Sequence, residues 1–251
     1  MNSPEVALLA FAALFGGGLL GMELRSRLPE HHLSDDSRHL LGLGLGIIGT
    51  MAGLVLGLLV ASATGAYNAQ RSELLDVSSR VILLDRILKH YGPEANAPRR
   101  ALRVAVARTL TRIWPQENSE GPQLDPSAVG AEGLLDKLED LSPKDDAQRS
   151  LKGEAIGLAL GLGQIRWLMY EQSGSALSVP LLAVLIFWFT ITFVGFGLFS
   201  PPNATVIVAL GLCALAVSGA ILVTLEMYSP FQGIVQLPST PLRDALVHMG
   251  P

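Results

Sequence analysis

Between residues 40 and 69 the chain reads LLGLGLGIIGTMAGLVLGLLVASATGAYNA, without a charged residue or a proline. A helix crosses the hydrocarbon core of a bilayer in about 20 apolar residues. The stretch is therefore read as a membrane-spanning helix with length to spare. Within it Gly49, Gly53, Gly57, Ala61, Gly65 and Ala69 recur at intervals of four. On a helix this spacing predicts one nearly straight stripe of small side chains, along which a second helix can approach backbone to backbone. Two uses of the stripe stay open: packing within one subunit, or packing around a subunit axis or pore. Gly44, Gly46 and Gly49 also fit the spacing of a dinucleotide-binding turn. That turn needs a strand before it and a helix opening at it, so a match inside an apolar run is discarded.

The remainder of the chain points to the same class. Hydrophobic residues make up 49% of it, and the mean hydropathy is +0.42, which soluble domains rarely reach. A net charge of −4 gives no reason to expect a nucleic-acid partner. The single cysteine, Cys213, lies in an apolar run, which excludes a disulfide framework and a cysteine-based zinc site. Residues 6–22 form another apolar run. No positive charge precedes it and no A-x-A site follows, so it reads as a span and not as a signal peptide. Two further runs, 177–199 and 205–227, are joined by Ser200-Pro201-Pro202-Asn203 and form a membrane hairpin.

After Ala69 the pattern turns amphipathic. Leu74, Val77, Val81, Leu84 and Leu88 follow helical spacing, and no proline intervenes before Pro93, so the central helix is predicted to run on to about His90. A basic helix ends at Trp114-Pro115, a Pro/Gly-rich loop occupies 115–131, and a short helix covers about 132–141. Ser142-Pro143-Lys144-Asp145 reads as a capping box opening a helix to about Gln172. The expected fold class is all-α: a polytopic membrane protein with four transmembrane helices and a cytosolic helical domain. Its parts are two spans with a polar connecting loop (1–69), the helical domain (70–175), the membrane hairpin (176–228) and a C-terminal tail (229–251). Of the 18 Lys and Arg, only Arg25, Arg27 and Arg38 lie on the side away from the helical domain. The excess of basic residues places the domain and both termini in the cytoplasm.

His31, His32, Asp35, Asp36 and His39 lie close together before the central helix. Imidazole and carboxylate at this spacing could hold a divalent metal. The competing reading is that Ser34 or Asp35 caps the helix while its acids complement the helix dipole. No cofactor is expected. None of the five histidines has a recognisable nucleophile or base partner, so an enzyme is the least expected class.

LPEHHLSDDSRHL, LGLLVASATGAY, LLDRILKHYGPEA, IWP and SPFQGIVQLPSTPLRDAL occur in that order along the chain. Together they resemble a bestrophin-like family of bacterial four-span membrane proteins, from about Leu28 to Leu246. Bestrophins are pentameric anion channels whose second membrane helix lines the pore and whose cytosolic helices continue the conduit. The resemblance therefore implies a homo-oligomeric ion channel in a bacterial inner membrane, pentameric by analogy with a tetramer as the alternative. Members often carry an acid–arginine pair just before the Pro-Phe-x-Gly motif. Here Tyr228 and Ser229 stand in its place, with Glu226 the nearest acid, and His39 follows Arg38 where an acid is common. The residues of a bestrophin calcium site are thus not carried over.

If the stripe Gly49, Gly53, Gly57 and Ala61 packs against neighbouring helices, Leu58 and Ser62 fall near the opposite face and Thr50 and Leu54 on a flank. Thr50, Leu54, Leu58 and Ser62 are then the candidate pore-lining residues, with the two leucines as the narrowing. The competing function is a non-conducting scaffold or sensor whose cytosolic helices bind a partner. A coupled transporter ranks third, on the expectation that the spans bury no Asp, Glu, Lys, Arg or His.

Overall fold

The computed structural model describes residues 2–29, 35–114, 131–173, 179–231 and 233–250, and among them every regular element is helical. The helices are α1 (Ser3–Arg27), α2 (Asp35–Tyr91), α3 (Asn96–Ile113), α4 (Ala131–Glu139), α5 (Asp146–Ser173), α6 (Val179–Phe199), α7 (Ala204–Tyr228) and α8 (Thr240–His248), with a 3-10 turn at Pro93–Ala95. Four of them, α1, α2, α6 and α7, are long and apolar enough to cross a membrane. The chain is an all-α membrane protein.

The termini of these helices follow local chemistry. The Asn2 amide donates to the Glu5 carboxylate at 3.0 Å and closes the first turn of α1. Asn203 opens α7 by accepting the Val206 amide at 2.8 Å. The helix after the Ser142 capping box begins later than its sequence suggests. Asp145, not Ser142, takes the cap position and accepts the Gln148 amide at 2.7 Å. Helix α2 runs 57 residues without a break. It stops where Gly92 takes φ 120°, a left-handed conformation that side chains rarely adopt, followed by Pro93.

The contacts divide the chain into two compact units, Met1–Ala66 with Ala176–Tyr228, and Tyr67–Ser175 with Ser229–Pro251. In the first, α1 packs on α6 and α7 around Leu14, Met22, Leu185, Phe189, Phe193 and Leu210. The α1–α6 crossing is backbone against backbone. A methyl built on Gly21 would overlap the Val194 carbonyl, and one on Gly197 would overlap the Gly18 carbonyl. Only glycine permits this approach.

The second unit has its own core of Leu74, Leu84, Leu88, Leu102, Leu138 and Leu242. Three of the stretches that carry the family resemblance meet in it. The Trp114 indole donates to the Leu237 carbonyl at 2.9 Å and lies edge-on to Phe231 at 6.0 Å. Asp85, 8% exposed in its side chain, accepts two hydrogen bonds from Arg99 at 2.9 and 3.0 Å. That pairing holds Arg99 above its ordinary pKa. Tyr91 is buried, and its carbonyl accepts the Gln148 amide group at 2.9 Å.

The candidate conduit face of helix α2

Successive residues of an α-helix are turned by about 100°, so a step of four residues slips by about 40°. A four-residue repeat is therefore not straight. From Gly49 to Gly65 it winds almost half-way round α2, and the structure shows the consequence. A methyl on Gly49 would touch the Thr192 methyl of α6 at 3.6 Å, whereas methyls on Gly53, Gly57 and Gly65 would meet nothing within 4 Å. Ala61 is exposed. The stripe thus begins against α6 and turns away from its own chain. The lane of α2 that the first unit covers is a different one, Ala52, Leu59 and Ala63, all buried.

The candidate pore residues wind in the same way. Thr50 is exposed, and its hydroxyl donates to the Gly46 carbonyl at 2.8 Å. Leu54 and Leu58 are 70% and 71% exposed. Ser62, at the other end, is exposed, and its hydroxyl accepts the Tyr228 hydroxyl of α7 at 3.0 Å. Sequence spacing puts Leu58 and Ser62 near the face opposite the start of the stripe and Thr50 and Leu54 on its flank, and all four are exposed. Gly53, Gly57 and Ala61 share one uncovered half of α2 with Thr50, Leu54, Leu58 and Ser62, because both series drift in the same direction. This half offers apolar side chains, bare backbone and hydroxyls. It holds no Asp, Glu, Lys, Arg or His from residue 40 to residue 69.

Sequence reasoning missed three features of the first unit. Tyr228 ties α7 to α2 at a candidate position, a contact across 166 residues that no local spacing reveals. The tight glycine crossing lies between α1 and α6. Its signal was present in Gly17, Gly18 and Gly21, and again in Gly195 and Gly197. The expectation that the spans bury no acid is overturned by Glu226, which lies in α7 and is 3% exposed. It sits in the last turn of that helix, where an apolar run masks a single carboxylate.

The candidate metal loop falls outside the described residues. His31 and His32 lie outside the described residues, and Asp35 and Asp36 open α2 with side chains that are likewise outside them. Among the described residues no group of three His, Cys, Asp or Glu is disposed to hold a metal ion.

A family model described as a Bestrophin-like domain matches residues 12–242. No curated protein and no solved structure matches the chain.

Proposed function

The chain belongs to the bestrophin-like family, and from that premise we propose that it is a homo-oligomeric, anion-conducting channel of a bacterial inner membrane, with α2 beside the conduit. One observation carries this reading: between Thr50 and Ser62, about half of the surface of α2 is left uncovered by the described residues of its own chain. The most apolar window of α2 is 11% buried, against 39% for α1. Lipid gains little from a lane of glycine, whereas another helix gains close contact. Gly53, Gly57 and Ala61 therefore suit a neighbouring copy, and closing a ring of copies turns Leu54 and Leu58 inward. A pore wall of leucine, flanked by the hydroxyls of Thr50 and Ser62, acts as a hydrophobic constriction that gates by dewetting. The proposal involves no catalysis. It takes the bilayer and further copies of the chain as partners, five by analogy with bestrophins.

The test is electrical. Purified protein in planar bilayers is expected to pass current, and Leu54→Ala or Leu58→Ala to raise conductance or hold the pore open. Reversal potentials in a salt gradient then separate anion from cation selectivity. Wild-type currents that neither alanine variant alters would rule out this face of α2. A protein that forms rings and never conducts would favour the scaffold reading.

A further inference from the structure

We infer that α5 is an interfacial helix, whose exposed edge of Trp167, Leu168 and Tyr170 seats in the lipid headgroup layer of the leaflet facing the helical unit. This inference rests on α2 crossing the bilayer and is independent of conduction. Helix α5 runs back along α2, and two contacts fix its register. The Gln148 side chain donates to the Tyr91 carbonyl at 2.9 Å. Further along α5, a methyl built on Gly161 would meet the Arg80 guanidinium at 2.7 Å. Carried on at the same pace, Trp167 comes level with about residue 75 of α2 and Tyr170 with about residue 72. Met169 and Leu74 line one cavity, in keeping with that register. Tyr67, Asn68 and Ala69, the last residues of the apolar run, belong to the same unit as α5. At 1.5 Å per residue the aromatic pair therefore lies about 4 to 9 Å beyond Ala69. The headgroup layer is about 5 to 8 Å thick on each side of the hydrocarbon.

The side chains at that level have the chemistry of the layer. Trp167 is 57% exposed, and Leu168 and Tyr170 are exposed beside it. Trp167 and Tyr170 are the only aromatic residues of α5, and their rings meet edge-on at 6.1 Å. Tryptophan and tyrosine are enriched where a membrane meets water, because each joins an apolar ring to a polar tip. Gln164 and Glu171 are also exposed close by on α5, so this edge suits the mixed headgroup layer and not the hydrocarbon below it. Arg71 is exposed at the same level of α2, and a long cationic side chain there carries its charge out to the headgroups. The chain also returns to the bilayer at this point. Helix α5 ends at Ser173 and the span α6 opens at Val179, and six residues reach at most about 20 Å. Lipid at this depth covers a patch that would otherwise stand open to water.

Fluorescence of the full-length protein in phosphatidylcholine vesicles tests this. Trp114→Phe and Trp188→Phe together leave Trp167 as the sole tryptophan. Its emission is expected to be quenched by lipid brominated next to the carbonyl, and less by lipid brominated at the chain end. A second measurement leaves all three tryptophans in place. With Cys213 replaced by alanine, Leu168→Cys carries a nitroxide. In a separate variant Leu160→Cys carries one about 12 Å farther from the bilayer along α5. A lipid with a nickel-chelating headgroup should broaden the signal at the first position and leave the second sharp. Trp167 emission that neither brominated lipid quenches would overturn the inference. Quenching by aqueous iodide would then put the ring in water, and protection from iodide would put it under a second copy. Equal broadening at both nitroxide positions, or none at Leu168→Cys, would overturn it as well.

Discussion

Glu94, in the 3-10 turn after α2, accepts a hydrogen bond from the Lys144 ammonium just before α5. That hydrogen bond holds the Glu94 carboxyl below its ordinary value of 4.5 and the Lys144 ammonium above its ordinary value of 10.5. The linkage has opposite signs at its two ends. Glu94 contributes stability that is present above 4.5 and is lost as pH falls through its depressed folded value. Lys144 contributes stability that is present below 10.5 and is lost as pH rises through its raised folded value. Both side chains reach solvent, so the contribution is small and salt-sensitive. Glu94→Gln should therefore lower the melting temperature slightly at neutral pH and not at all once Glu94 is protonated, and added salt should shrink the difference. A difference that persists unchanged into acid would show that packing, not charge, is what the substitution removes. Nothing in the sequence links residues 94 and 144. The pair forms because Gln148 reaches back to the Tyr91 carbonyl and draws the start of α5 to the end of α2.

At the scale of helices, glycine serves two ends in this chain, and the two are separable. At Gly197 and Gly21 a side chain would collide with backbone that cannot move aside. At Gly53 and Gly57 it would meet open space within the protomer. Gly197→Val should therefore cost more than the roughly 1–3 kcal/mol typical of an overpacked core, and the protein should unfold early or fail to accumulate. Gly57→Leu should leave a single protomer folded yet shift the solubilised protein to smaller species. If Gly57→Leu keeps the wild-type oligomer by light scattering, α2 does not use that lane between copies. The spans were legible because apolar length is a coarse signal that needs no partner. The run of α2 through to Tyr91 was legible because no proline interrupts it before Pro93. The true crossing of α1 and α6 was not, since small residues announce that a helix is approached without saying which helix approaches. The slip of Ser142 to Asp145 has a local cause. Both residues can cap, and it is the carboxylate of Asp145 that reaches the Gln148 amide.

For the molecule as a whole, the fold class and the family were legible from the sequence. The uncovered half of α2 was not, because exposure depends on what the other spans fail to cover. The proposed orientation places the helical unit in the cytoplasm and the α6–α7 turn on the far side. With Cys213 replaced by alanine, Pro202→Cys should react with a membrane-impermeant thiol reagent in intact spheroplasts, and Ser142→Cys only after lysis. The reverse pattern would invert the orientation. The glycine crossing also bears on how the chain is made. Gly18 meets Gly197, yet the ribosome delivers α1 first, and at about 5–20 residues per second α6 follows roughly 10 to 35 s later. Through that interval the Gly17–Gly18–Gly21 face has no partner of its own. Until α6 is made, that face of α1 lies against lipid or the insertion machinery, so the closest helix contact of the membrane unit waits on synthesis of helices α2 to α5 between them.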